Sequence, residues 1–250
     1  MTSKSIVVIG ENLLAKELFG ALQKSEKVEV TFNQFPINHH VDVVIETTNL
    51  DLEQKKSNLQ GIESRVSAHT LMLTTTLHVT ATEAASWLSQ PERLIGFGTF
   101  SNFNNGALIE VAAPLQADPE YLQVATNTFQ VIGQETEIVE DEVGLVFPRI
   151  LSLIINEAAF ALTEGTAAVD AIDTAMKKGT NYPLGPLEWA EKIGIDDVYS
   201  VLLGLYKQFG EERYRPAPMI KKLVQAGWVG GETDKGFYHY QNRKSKEYSI

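Results

Sequence analysis

The sequence predicts an α/β fold class: an open, mostly parallel sheet domain over residues 1–140, followed by an all-α C-terminal domain over 141–250. Three observations carry this. Short β-rich runs alternate with helical spacing up to about residue 140. A glycine ends the first run just where the first helix begins. Beyond Asp141 the pattern is helical throughout.

Taken in order, Ile6-Val7-Val8-Ile9 reads as a buried strand ended by Gly10, and Leu13 to Lys24 as a helix with Leu14, Leu18 and Leu22 on one face. Val28 to Phe32, Val41 to Ile45, Leu71 to Thr74, Leu94 to Phe97 and Leu108 to Val111 read as further strands. Strand, glycine turn, helix and strand in that order make a βαβ unit, and a series of them makes a Rossmann-like sheet. Helices are then expected over Ile150 to Thr163, Val169 to Lys178, Pro186 to Ile193, Asp196 to Phe209 and Met219 to Ala226. Gly165, Gly179, Gly194, Gly210 and Gly227 follow them as candidate left-handed caps. A site is expected beyond the carboxyl ends of the strands, where the two domains meet.

Composition narrows the function. The chain has 250 residues, 44% of them hydrophobic, and 21 Lys plus Arg against 32 Asp plus Glu give a net charge of −11. That sign argues against nucleic acid and against a polybasic membrane patch. Cysteine is absent, which removes disulfides, thiolate nucleophiles and Cys-ligated zinc. The apolar run before Gly10 is too short for a signal peptide, and none reaches membrane-spanning length, so a cytoplasmic chain is expected. No His, Asp and Glu cluster has metal-ligand spacing, and no metal is expected.

Gly10-Glu11-Asn12-Leu13-Leu14-Ala15 stands where a dinucleotide-binding turn of the G-x-G-x-x-G/A pattern would stand, between a strand and a helix. Gly10 suits the tight turn and Ala15 the close packing of helix on strand. Asn12 replaces the glycine that lets the backbone approach a pyrophosphate; Asn tolerates left-handed dihedrals but crowds that approach. The ribose-acid position falls on Asn33, which carries no charge, and no Arg adjoins it, so NAD is favoured over NADP. Gly10, Asn12, Leu13 and Asn33 are the candidate cofactor residues. A plain βα turn that binds nothing is the alternative.

The helical half carries a more specific pattern: Asp141-Glu142-Val143-Gly144-Leu145-Val146-Phe147-Pro148-Arg149, then Asn156-Glu157-Ala158, Ile172-Asp173, Gly179 to Pro186, Tyr214-Arg215-Pro216, Lys222 to Gly227, and Lys235-Gly236-Phe237-Tyr238. In order and spacing it resembles the C-terminal domain of the 3-hydroxyacyl-CoA dehydrogenases, and the first half is similar to that family more loosely. The resemblance implies an NAD domain joined to a helical domain that makes a homodimer, and oxidation of a 3-hydroxyacyl-CoA to the 3-ketoacyl-CoA in fatty acid metabolism. It also implies a His, held by a Glu, that removes the hydroxyl proton, with a Ser and an Asn orienting the substrate oxygen.

Carried over residue by residue, the Glu falls on Glu110 and the Ser on Thr75, the two catalytic candidates. The His position holds Gly98 and the Asn position Pro148. A family Lys near the nicotinamide falls on Lys55, a further cofactor candidate, and its acidic companion on Leu50. A CoA-holding insert after the second strand is missing, replaced by a loop with Pro36, His39 and His40. His78, three residues after Thr75, and His39-His40 are candidate substitute bases. Two readings follow: a dehydrogenase with impaired or altered activity, or a non-catalytic dimer that binds a nucleotide or an acyl-CoA on the same scaffold.

Overall fold

The computed structural model describes residues 3–36, 40–102 and 108–247, with only the backbone described for 232 and from 243 on. It divides into two compact units, Met1–Phe147 and Pro148–Ile250.

The first unit holds β1 (Lys4–Ile9), α1 (Leu13–Gln23), β2 (Val28–Phe32), β3 (Val43–Glu46), α2 (Leu52–Glu63), β4 (Leu71–Thr75), α3 (Ala81–Ala85), β5 (Leu94–Gly98), β6 (Leu108–Ala112), α4 (Pro119–Gln130) and β7 (Glu135–Ile138). The strands form one sheet in the order β2-β1-β3-β4-β5-β6-β7, and among the described pairs only β5 and β6 run antiparallel. Its central strands β1, β3 and β4 carry apolar runs because both faces are covered, whereas the edge strands β2 and β7 carry polar residues. Ile6 and Val8 of β1, Val43 and Ile45 of β3, and Leu71 and Leu73 of β4 pack into one core with Leu14, Leu18 and Leu22 of α1 and Phe129 of α4. The alternate residues Val7, Val44 and Met72 face a second core with Leu59 and Ile62 of α2 and Ala84 and Ala85 of α3. Since β2 lies on one side of β1 and β3 on the other, the topological switch point falls between the carboxyl ends of β1 and β3, where ligands bind in such sheets.

The second unit contains α5, which starts at Phe147 (Phe147–Thr163), α6 (Val169–Thr180), α7 (Pro186–Ile193), α8 (Ile195–Phe209), α9 (Pro218–Gln225) and α10 (Phe237–Glu247). Two buried polar side chains set its connections. The Asp173 carboxylate accepts the amides of Leu187 (2.9 Å) and Glu188 (2.8 Å), capping α7, and the hydroxyl of Tyr238 (2.7 Å). A Cβ on Gly185 would lie 2.2 Å from that of Asp173, which is why glycine precedes α7. Asn156 accepts the Ala217 amide at 2.8 Å and donates to the Arg215 carbonyl at 3.0 Å, fixing the entry to α9. The helical motifs thus appear first as capping devices.

Three sequence expectations change. Gly194, at φ 103° and ψ 114°, is not in the left-handed helical conformation but links the end of α7 to the start of α8. Gly179 lies inside α6, and Asn181, at φ 59°, takes the left-handed cap; the Asn carboxamide makes that conformation affordable two residues later. Asn12 does not adopt a left-handed conformation: at φ −74° and ψ 171° it is the extended N-cap of α1, because its side chain caps the helix. Helices α2, α3, α4 and α10 and strand β7 were not assigned from periodicity.

Candidate active site

Gly98 and Glu110 are opposite one another in the antiparallel β5–β6 pair. Directly paired residues hold their side chains on one face about 4.5–5.5 Å apart at Cβ, so a histidine at 98 would stand beside the Glu110 carboxylate. That place is filled. A Cβ added at Gly98 would lie 2.8 Å from Leu145 Cδ1 and 3.2 Å from its Cγ. Leu145 is buried and held at φ 49°, a conformation rare for a branched apolar residue.

Glu110 is also engaged. Its two carboxylate oxygens accept the amides of Val146 and Phe147, both at 2.8 Å. Phe147 opens a long helix, whose first amides have no acceptor within it. The carboxylate therefore serves as a cap. Burial pushes its pKa up, while the two amides pull the other way. Asp141 does the same nearby, accepting Ala81 and Thr82 amides at 2.7 Å each.

A second polar cluster closes the ends of β3 and β4. Lys55, 1% exposed, donates to Glu46 Oε2 (2.7 Å), the Thr48 carbonyl (2.8 Å) and Thr75 Oγ1 (3.1 Å). Glu46 accepts also from Thr74 Oγ1 at 2.8 Å and from the Thr48 amide at 2.7 Å. Thr75 in turn donates to Asn49 Oδ1 at 2.6 Å. A charge pair this deep is tolerated because each partner is multiply hydrogen-bonded. His78, half-buried, has Nδ1 3.2 Å from the Asn49 carbonyl, so the neutral ring carries its proton on Nδ1. His40 is mostly exposed, 3.5 Å from Asp42, His69 is exposed, and His239 packs edge-on to Trp228. His39 lies outside the described residues.

The glycine turn has Gly10 at φ 146°, and a Cβ there would fall 2.1 Å from Thr47 Oγ1. Asn12 Oδ1 accepts the Ala15 amide (3.0 Å) and the Thr47 hydroxyl (2.9 Å), and its Nδ2 donates to the Thr47 carbonyl (2.7 Å). Asn33, at φ 51°, accepts the Gly10 amide and donates to the Gly10 carbonyl, both at 2.9 Å. Leu13 and Leu14 begin α1, where backbone amides point outward from the helix. The backbone thus fits a dinucleotide: glycine turn, helix start and switch point are in place. The side chains at the two recognition positions do not fit it as folded, since both are bonded to the chain itself.

Leu145, Thr47 and Asn49 carry much of this arrangement and were not singled out from sequence. Apolar and small polar residues in loops give no signal of the cavity they fill.

This architecture is that of a two-unit nicotinamide-type dehydrogenase, and comparison with known proteins makes the family definite. Residues 14–142 match the 3-hydroxyacyl-CoA dehydrogenase NAD binding domain, and 144–240 match the 3-hydroxyacyl-CoA dehydrogenase C-terminal domain. The chain is 31% identical over 246 residues to a probable 3-hydroxybutyryl-CoA dehydrogenase of Bacillus subtilis, covering 94% of this chain and 86% of that one. It is 32% identical over 203 residues to the 3-hydroxybutyryl-CoA dehydrogenase of Bradyrhizobium diazoefficiens, covering 81% and 69%. The crystal structure of (S)-3-hydroxybutyryl-CoA dehydrogenase from Ralstonia eutropha superposes with a TM-score of 0.73 at 25% identity, over 94% of this chain and 98% of that one. The chain belongs to the 3-hydroxyacyl-CoA dehydrogenase family. Among the described residues no helix is long and apolar enough to cross a membrane.

Proposed function

We propose that the protein is an NAD-linked 3-hydroxyacyl-CoA dehydrogenase of impaired activity, disabled at its proton-transfer step. One observation carries this reading: Leu145 fills the space beside Gly98 while Glu110 caps the Val146 and Phe147 amides. A carbinol gives up hydride poorly until its hydroxyl proton leaves, and a bound nicotinamide supplies only the hydride acceptor. Loss of a positioned general base costs about 10²–10⁴ in rate. Thr75 keeps a hydroxyl at the orienting position but donates it to Asn49, and Lys55 is paired with Glu46. The resemblance and the relatives' names support a short 3-hydroxyacyl-CoA as substrate class. Absence of cysteine fits a cytoplasmic setting.

The test is NADH consumption with acetoacetyl-CoA. Turnover at least a hundredfold below a family member with an intact His supports the reading; equal turnover overturns it. The second reading, a non-catalytic dimer binding a nucleotide or an acyl-CoA, is favoured by Gly98, Pro148 and the missing insert; it is supported if ligand binds with no turnover at all, whereas reduced but measurable turnover supports the first. A homodimer through the helical unit is part of either reading. The family resemblance supports it, as does an apolar groove of about 480 Å³ lined by Ile150, Leu153, Ile154, Ile172 and Met176. Sedimentation of an Ile154→Glu variant as a monomer, against a dimeric parent, tests that part.

A further inference from the structure

The residues at the switch point, the region where open α/β sheets bind their ligands, bond to each other. Ile9 and Glu46 are register partners in the parallel β1–β3 pair, so Gly10 and Thr47 are the first residues beyond the two strand ends. Thr47 is fully buried there. Its carbonyl accepts from Asn12 Nδ2, and its hydroxyl donates back to Asn12 Oδ1 at 2.9 Å, with the Ile9 carbonyl a longer second acceptor at 3.3 Å. Both polar ends of one carboxamide are thus tied to one residue of the neighbouring strand end. The Ala15 amide, the third of the helix start, is taken by the same Asn12 oxygen. On the other side of the turn Asn33 holds both the amide and the carbonyl of Gly10, so its side chain faces the turn's own peptide groups.

We infer that Asn12 and Thr47 form an internal staple that holds the dinucleotide crevice closed, so that a nicotinamide dinucleotide binds only to the fraction of molecules in which it has opened. This rests on the cofactor reading above and deepens it. Two facts favour a staple over a cap alone. A cap needs only the Asn12 oxygen on the Ala15 amide, whereas here Nδ2 and the Thr47 hydroxyl add a second and a third bond that do nothing for the helix. And the bonds join the two strand ends that flank the switch point, where the ligand crevice of an open α/β sheet lies. The apparent affinity of a site whose competent state is rare falls in proportion to that state's population.

The experiment is an NADH fluorescence titration of the full chain and of Asn12→Ser, Thr47→Ala and Asn12→Ser/Thr47→Ala. Serine can still cap the helix but is too short to bridge to the Thr47 carbonyl, which separates the two roles. Expected are weak binding by the parent, at least tenfold tighter binding by Asn12→Ser, and a smaller gain by Thr47→Ala, which removes the hydroxyl bond but leaves the Thr47 carbonyl accepting from Asn12 Nδ2. The double variant should gain less than the product of its parts, because each change opens the same staple. Circular dichroism melts confirm that each variant is folded. Micromolar binding by the parent overturns the staple and leaves the cofactor reading standing. Unchanged affinity in folded variants of a weakly binding parent also overturns the staple. If neither parent nor any variant saturates at millimolar NADH, the staple and the cofactor reading fall together.

Discussion

Placing an imidazole at position 98 is the sharpest test of the proposal that proton transfer limits this protein. Gly98 faces Glu110 across the β5–β6 pair, so a histidine there needs no new partner, only room. The obstacle is Leu145, whose Cδ1 lies 2.8 Å from where the new Cβ would be. Gly98→His alone forces a leucine and a ring into one space, and overpacking of that kind costs about 1–3 kcal/mol. Leu145→Ala alone leaves a void where a buried leucine stood, at about 2–5 kcal/mol. The double variant should cost less than the sum, since the ring refills the void and the two residues touch. Glu110 can still serve: a carboxylate has lone pairs for an imidazole N–H besides the two amides it already accepts. A general base is worth about 10²–10⁴ in rate. Pro148 leaves the orienting Asn missing, so we expect the lower end, roughly a hundredfold over the parent in NADH consumption with acetoacetyl-CoA at fixed cofactor. Gly98→His alone should gain less, because Leu145 pushes its ring aside. A double variant that is folded, binds NADH and gains nothing would refute the claim that proton transfer at this position limits the protein.

Lys55→Met should destabilise the fold by about 3–5 kcal/mol in urea melts, because it leaves Glu46 buried and unpaired, and adding Glu46→Gln should recover part of that loss. Asp141→Ala removes the acceptor of the Ala81 and Thr82 amides and should cost about 1–2 kcal/mol by the same measurement. Glu110 has its folded pKa raised from 4.5 by burial, so its contribution to stability is complete below about pH 4.5 and is lost as pH rises through the raised value. Glu110→Gln should flatten that part of the melting-temperature profile, and an unchanged slope would assign it elsewhere. His78→Ala should remove most of the residual turnover if the ring near Asn49 is the substitute base, and should change nothing if water takes the proton.

Much of the fold was legible because it rests on apolar periodicity. The seven-stranded sheet lies between two cores, and that double burial wrote the unbroken runs at Ile6 to Ile9, Val43 to Ile45 and Leu71 to Leu73 into the sequence. Helices with a polar surface were harder: α2 has mostly polar residues between Lys55, Leu59 and Ile62, too thin a stripe for spacing alone. The vacancies at Gly98 and Pro148 could be seen by resemblance, since a missing residue type is visible in a string. What fills a vacancy is not. Leu145 lies 47 positions from Gly98 and Thr47 lies 35 from Asn12, and no local pattern links either pair.

On the proposed reading, the same logic says how this fold would survive a loss of its chemistry. An active site keeps polar groups ready for a ligand, and buried polar groups without partners cost free energy. A Glu110 left without any partner would be a stranded carboxylate, since it is only 4% exposed. Here that carboxylate is matched to the amides of Val146 and Phe147, and the space to an apolar side chain. At the glycine turn a carboxamide answers a hydroxyl, a carbonyl and an amide of its own chain. Each change trades readiness to bind for internal satisfaction, so reversing one should weaken the fold while strengthening ligand or catalysis. Leu145→Ala should therefore lower stability on its own, whereas Asn12→Ser should keep the helix cap and still expose the crevice. An Asn12→Ser protein that loses stability with no gain in NADH affinity would show the bonds at the turn to be packing alone.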